Sequence, residues 1–235
     1  MDKMEKSLFK KPLSLVDQLK YELKNAIVKG RLLPGQQIRE IELQQWFKVS
    51  RAPIREAIRL LEAEGLIAIN SYKKKFIRRI TRNDLDQMFP VMAVLEGLAA
   101  RITSQLINDK MIKKLIYINN ELKEANENKD YDLCAELNYQ FHNIYIRKAN
   151  NSAIETAIRG IERGTIWLWL TNIYYTVDKV VNASINDHNK VIDAFKKKDA
   201  KKAEILVREH ILNVNKRSHK FHIYDKKGEL LLKEK

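Results

Sequence analysis

Hydrophobic positions along the chain change their period twice. Leu15, Leu19, Leu23, Ile27 and Val28 form a stripe at helical spacing that predicts an amphipathic helix ending at Gly30. Ile38, Leu43, Trp46 and Phe47 anchor a second short helix over 38–47. Ile54, Ile58 and Leu61, widened by Ala57 and Leu60, mark a third. That helix is entered through Ser50 as N-cap, tolerates Pro53 in its first turn and stops at Gly65. The period then shortens. Leu66–Ile69 and Lys75–Ile80 read as two strands around the polar stretch 70–74, a hairpin. After the cap-rich junction Thr81-Arg82-Asn83-Asp84, only helical periodicity remains. It predicts helices over 83–106, 109–127, 130–148, 151–175, 180–197 and 199–217, an all-α bundle of about six helices. The fold class is therefore mainly α. Three helices and a small β-hairpin wing (1–80) precede a helical domain (81–217) and a basic tail (218–235), and residues 1–11 form a loose arm.

Charge sharpens this division. The chain carries 44 Lys+Arg against 30 Asp+Glu, a net +14. Residues 1–80 account for +9 and residues 212–235 for +4, whereas 81–211 hold only +1. A basic end joined to a nearly neutral body suits a polyanion-binding module attached to something else. The single cysteine, Cys134, excludes an intrachain disulfide framework and reads as a small core residue. No stretch approaches the ~18 uninterrupted apolar residues of a membrane span, and no signal-like apolar run follows the first charges. A soluble, cytoplasmic protein without membrane contact is expected.

Within the basic end, Arg51, Arg55 and Arg59 recur every four residues along one side of the third helix. A cationic ridge of this kind is often only a solvated face. Here a second helix precedes it with only Lys48-Val49 before Ser50, which is helix-turn-helix spacing. Arg51 and Arg55 can then reach base edges in a DNA major groove, while Ser50 and the free N–H groups of the first turn hold a phosphate.

Two segments carry a family resemblance. Gly30-Arg31-Leu32-Leu33-Pro34-Gly35-Gln36-Gln37-Ile38, followed by Val49-Ser50-Arg51-Ala52-Pro53-Ile54-Arg55-Glu56-Ala57, resembles the winged-helix domain of the GntR superfamily of bacterial transcription regulators, over roughly residues 13–80. The resemblance implies DNA contacts from Arg39, Ser50, Arg51, Ala52, Pro53, Arg55, Lys73 and Lys74. Because a helix-turn-helix monomer buries little surface, a homodimer on a pseudo-palindromic double-stranded operator with half-sites about one DNA turn apart is expected. The wing departs from the family pattern: its tip has no glycine and carries Lys73, Lys74 and Lys75, so phosphate contacts are expected there rather than base reading. Leu95-Glu96-Gly97-Leu98-Ala99-Ala100-Arg101, Phe141-His142 through Asn151, and Asp187-His188 with Asp193-Ala194-Phe195 resemble the FCD effector domain of the same superfamily. The helix count is that of its smaller, VanR-like group.

Among five histidines, Asn138 and His142 sit four apart and so share one helix face. His188 and His210 lie about equally far from the Lys196–Asp199 turn, so an antiparallel hairpin brings both imidazoles to nearly one height. Each histidine alone is more simply a satisfied core or surface residue. The FCD resemblance implies that Asn138, His142, His188 and His210 ligate a divalent metal, with Zn or Ni suited to imidazole. Aspartate is the usual residue at the position of Asn138, so an anionic ligand is missing. Met92 likewise stands where the family often has an arginine that clamps an acid ligand. Arg101, Arg147 and Arg163 are the remaining candidates for an acidic effector. The aromatic stretch 166–175 reads mostly as plain core, with a minority of its side chains available to line an effector cavity.

The expected function is transcriptional regulation, most simply repression, by a protein whose helical domain binds a metal and a small effector. Two alternatives stand beside it: a constitutive regulator with a vestigial pocket, and a metallohydrolase that uses the three histidines and an open coordination position. Against the hydrolase, no carboxylate accompanies the histidines at a fixed general-base spacing.

Overall fold

The first apolar stripe forms helix α1 (Leu15–Val28), which buries Leu19, Leu23, Ala26 and Ile27 against helix α3 (Arg51–Ala63). In this computed structural model the described residues are 13–28, 31–79, 81–162, 178–221, 223–224 and 230–231. Two compact units divide the chain, Met1–Arg78 and Arg79–Lys235.

In the first unit, helix α2 (Glu40–Phe47) is shorter at its start than the apolar pattern suggests. Gln37–Ile38 instead forms strand β1, because Arg39 takes an extended backbone (φ −113°, ψ 124°) and only then does the helix begin. Ile38 and Leu43 are buried as expected, whereas Trp46 is 46% exposed, stacked on Phe47 at 5.0 Å with the Arg31 guanidinium over its ring. Trp46 is therefore a surface aromatic held by stacking and a cation–π contact, not a core anchor. Ser50 caps α3 by backbone conformation alone; its hydroxyl makes no capping bond and lies exposed. Gly65, at φ +74°, ends the helix. Its N–H donates to the Glu62 carbonyl and that of Leu66 to the Leu61 carbonyl, the paired closure that favours glycine.

Strands β2 (Ile67–Ile69) and β3 (Lys75–Ile77) form the hairpin. Gln37 also pairs with Phe76 and Ile38 with Lys75, so the wing is a three-stranded antiparallel sheet in the order β1-β3-β2. The glycine-free tip closes with Lys73 in the left-handed region (φ +57°), while the Asn70 side chain accepts from the N–H groups of Tyr72 and Lys74. Lys75 belongs to the strand rather than the tip.

The second unit is mainly helical: α4 (Arg82–Leu106), α5 (Asp109–Glu127), α6 (Tyr131–Lys148), α7 (Ser152–Glu162), α8 (Asp178–Lys196) and α9 (Ala200–Phe221). Local chemistry sets their ends. Thr81 and Asp84 form a reciprocal capping box, Asn108 caps α5 and Asp130 caps α6. Lys129 and Lys198 close α5 and α8 in the left-handed conformation. Helix α9 runs to Phe221, four residues beyond the periodicity, and a short hairpin of β4 (Ile223–Tyr224) and β5 (Leu230–Leu231) follows, so residues from 218 onward are not all tail. Residues 163–177, with Arg163 and the aromatic stretch, lie outside the described residues.

Helix α4 packs along α9, α5 against α6 and α8, and α8 against α9. A Cβ added at Gly97 of α4 would stand 2.6 Å from Arg208 Cγ of α9, so glycine there accommodates a close side-chain approach. Cys134 is buried and reduced. Among the described residues, no helix is long and apolar enough to cross a membrane.

Candidate functional site

In the first unit, Arg39, Ser50, Arg51, Ala52, Arg55, Lys73 and Lys74 are all exposed, and Pro53 is half-buried in the first turn of α3. The helix buries Ile54, Ala57, Ile58 and Leu61 and leaves its arginines to solvent. Arg59 is taken up within the helix, donating Nε and Nη2 to the two oxygens of Glu56 (3.0 and 2.6 Å). Arg51 and Arg55 behave differently. Both donate Nε to Oε2 of Glu40, at 2.6 and 2.9 Å, while Lys75 Nζ reaches Oε1 at 2.6 Å. Glu40 is a residue that periodicity alone did not single out. Its partial burial favours the neutral acid, but the bonds from Lys75, Arg51 and Arg55 outweigh this and lower its carboxyl to about 2. Arg39 pairs with Glu42 at 3.3 Å on the same exposed side of α2.

In the second unit, helices α6, α8 and α9 bring His142, His188 and His210 together, all buried, with one candidate ligand atom from each within 4.8 Å of the others. His142 comes from the sequence-distant helix α6, and the α8–α9 hairpin supplies the other two at one height. Asn138, one turn before His142, is buried, and its Oδ1 has no hydrogen-bond partner among the described residues.

The surroundings decide each tautomer. His142 Nδ1 lies 2.6 Å from Glu96 Oε2, which also accepts the Tyr145 hydroxyl at 2.5 Å. His188 Nδ1 lies 3.0 Å from Asn119 Oδ1. The Asn119 amide is oriented by donating to the Ile185 carbonyl and to Asn189 Oδ1, so its oxygen must face the histidine. His210 Nδ1 lies 3.5 Å from Asp187 Oδ2, which Arg217 holds at 2.6 Å. The Tyr145 hydroxyl, 2.7 Å from His142 Nδ1, gives its own proton to Glu96 and so offers Nδ1 only an oxygen lone pair. With carboxylate or amide oxygens as the other neighbours, each Nδ1 carries the proton and each Nε2 presents a lone pair. The Nε2 atoms of His142 and His188 are buried without any hydrogen-bond partner among the described residues.

Burial and the charges of neighbouring histidines push His188 well below its ordinary pKa of 6.5. Burial also lowers His210, against the opposing pull of Asp187. Both stay neutral, which is the ligating form. For Glu96, burial alone would raise the pKa, but His142 and the hydrogen bonds from His142 and Tyr145 bring it below the ordinary value.

Imidazoles converging from three helices, two of them with orphaned Nε2 lone pairs and each with an acceptor behind it, fit a transition-metal ion. Glu96, Asn119, Tyr145 and Asp187 were not legible as site residues from spacing. The only sequence signals were a lone carboxylate in the apolar run Val91–Ala100 and the adjacency of Asp187 to His188. Glu96 also places a carboxylate beside the histidines that no fixed motif spacing announces.

Of the proposed effector arginines, Arg163 is outside the described residues and the other two lie on the surface. Arg101 is exposed and pairs with Glu204 at 3.3 Å, and Arg147 is exposed. Met92 is fully buried one turn from Glu96. A cleft of about 290 Å³ at the α6–α7 junction is lined by Asn150, Ser152, Glu155, Thr156 and Arg159, without any of the histidines.

Comparison with known proteins agrees with this two-part layout. Residues 15–74 match the model for bacterial regulatory proteins of the gntR family, and residues 76–213 match the FCD domain. The HTH-type transcriptional regulator YdhC of Bacillus subtilis is 28% identical over 205 residues, 85% of this chain and 89% of its own length. A probable D-xylose utilization operon transcriptional repressor of Paenarthrobacter nicotinovorans is 28% identical over 187 residues, covering 79% of this chain and 80% of its own. Among solved structures, Escherichia coli McbR/YncC superposes with a TM-score of 0.68 at 18% identity over 88% of this chain and all of that one. A GntR protein from Rhodococcus sp. RHA1 gives 0.70 at 15% over 90% of this chain and all of that one. The chain belongs to the gntR family of DNA-binding transcriptional regulators, with an FCD domain following its helix-turn-helix, and not to a class of enzymes.

Proposed function

We propose that this regulator is a metal-loaded, effector-responsive repressor that acts in the cytoplasm as a homodimer on a pseudo-palindromic operator. The observation that carries the metal is the pair of buried, unpartnered Nε2 lone pairs on His142 and His188 beside His210, in a domain family that often binds one. A buried polar atom without a partner costs roughly 1–3 kcal/mol, and a cation at the shared centre would relieve several such costs at once. His142, His188 and His210 would hold the ion, with Asn138 Oδ1 as a neutral fourth donor. The ion would supply a Lewis-acidic contact for an acidic effector. Glu96 and Asp187 hold protons on the Nδ1 atoms and keep the ligands turned inward. Repression is the activity in the names of the Paenarthrobacter relative and of a Bacillus licheniformis gluconate operon repressor, 28% identical over 133 residues.

A second copy is supported by apolar side chains left exposed on the packed pair α4 and α9: Val91, Val94 and Leu98 on one helix, Ile205 and Leu212 on the other. Arg51 and Arg55 would read bases, and Ser50, Ala52, Pro53, Arg39, Lys73 and Lys74 would hold the backbone of the half-site.

Elemental analysis of untagged protein, wild type and His188→Ala, tests the metal. Near-stoichiometric Zn or Ni lost in the variant supports the centre; no metal in either leaves a DNA-binding regulator with a vestigial pocket.

A further inference from the structure

Two like charges one turn apart on an exposed helix face repel, and each long arginine side chain loses rotamer freedom when it is held for reading. Glu40 answers both problems in the first unit. Its side chain is only 11% exposed and stands on α2, not on the reading helix, yet one of its oxygens receives Nε of both Arg51 and Arg55. The other oxygen receives Lys75 of the wing strand. Because Nε is the atom held, the terminal nitrogens of both arginines stay outward on side chains that are 61% and 57% exposed. That outward fork is the part that can bond O6 and N7 of a guanine. Arg59, whose Nε and Nη2 are both engaged by Glu56, is not presented in this way.

We propose that Glu40 is a specificity-determining positioning residue: it presents the forks of Arg51 and Arg55 together and ties the wing strand to the reading helix. This rests on the reading of α3 as the base-contacting helix. On matched sequence the arginines bond guanine without leaving Glu40, so their orientation is set before binding. On unmatched sequence they reach phosphate only by abandoning the carboxylate, whose negative charge itself repels the backbone. Glu40 thereby favours the specific complex and disfavours the non-specific one.

The test uses full-length protein and two fluorescent duplexes of equal length. One is selected from a randomised pool by the wild type and the other is of scrambled sequence. Dissociation constants are measured over a KCl series for wild type, Glu40→Gln and Glu40→Asp. Glu40→Gln is expected to lower the ratio of specific to scrambled affinity by about tenfold or more, from weaker binding to the selected duplex with equal or tighter binding to the scrambled one. Its salt slope on scrambled DNA should steepen by about one unit, as arginines released from the carboxylate meet phosphates. Glu40→Asp should recover part of the ratio. A ratio within twofold of wild type would overturn the proposal. So would an equal loss on both duplexes accompanied by a lower Tm, which would mark Glu40 as a merely structural residue. Failure of the wild type to bind any duplex would instead overturn the DNA-reading assignment of α3, and the proposal with it.

Discussion

The reading face and the histidine centre handle polar groups in opposite ways. On α3 the functional cations are exposed, and each has water or a local carboxylate for company. Their arrangement costs little, and screening by salt keeps it cheap. At the meeting of α6, α8 and α9 the imidazole nitrogens are buried, and two of them have no partner among the described residues. That arrangement is costly without a ligand. Under the proposed function, the contrast teaches that the first site would be ready as it stands and tuned by competition, whereas the second would be incomplete without its ligand and should respond strongly to what fills it.

The largest expected effect follows from that incompleteness. Adding Zn or Ni to chelator-treated protein should raise its stability by about 2.7 kcal/mol at a free concentration 100 times Kd, read as a Tm shift. His188→Ala should abolish the shift; an unchanged shift in that variant would place the ion elsewhere. On the reading face, Arg51→Ala should cost about 1–3 kcal/mol on a selected duplex and much less on a scrambled one. Equal losses on both would mean that Arg51 touches only phosphate, and the contrast between a reading site and a merely basic face would collapse. Glu96→Gln probes the support behind a ligand, since it removes the acceptor charge behind His142 without touching an imidazole Nε2. Metal affinity by competition titration should fall about 10–100-fold.

A smaller effect is the pH dependence of the metal-free protein. His188 and His210 titrate lower in the folded chain than their ordinary 6.5, so below that pH the unfolded chain binds protons that the folded one refuses. Stability should therefore fall as pH falls below 6.5, by up to about 1.4 kcal/mol per pH unit for each histidine. His188→Asn should flatten the curve between pH 6.5 and 5. Below about 4.5 a further loss, with Glu40 and Glu96 as its source, should remain in that variant. The smallest effect belongs to the wing tip. Lys73 sits at φ +57°, where glycine is unstrained, so Lys73→Gly should change stability by no more than about 1 kcal/mol. Its affinity for scrambled DNA should drop slightly through the lost charge.

Much of the fold was legible because its signals are local. The ends of α3, α4, α5 and α6 follow from Gly65, Thr81-Asp84, Asn108 and Asp130, each acting on backbone within one turn. Where the pattern misled, the cause was an aromatic or a boundary judged by type alone. Trp46 looked like core and is a stacked surface residue. Ile38 looked like the start of a helix and is a strand residue, because an extended Arg39 costs nothing and sheet pairing with Lys75 was open to it. The histidine centre was half legible. Equal rise along two antiparallel helices puts His188 and His210 at one level, and a four-residue step puts Asn138 above His142. Nothing in spacing could show that Arg101 would pair outward with Glu204.

By itself, the sequence determined the two-part plan, the helix-turn-helix with its row of exposed arginines and the identity of the three clustered imidazoles. These depend on periodicity and short-range capping, which act between neighbours in the chain. The tertiary structure alone decided which carboxylate meets which cation and which nitrogen of each histidine keeps its lone pair. Glu40 reaches Arg51, Arg55 and Lys75 across 11 to 35 residues, and Asn119 reaches His188 across 69. A proton's position on an imidazole is set by the acceptor packed against it, and that acceptor arrives only when distant helices close on one core.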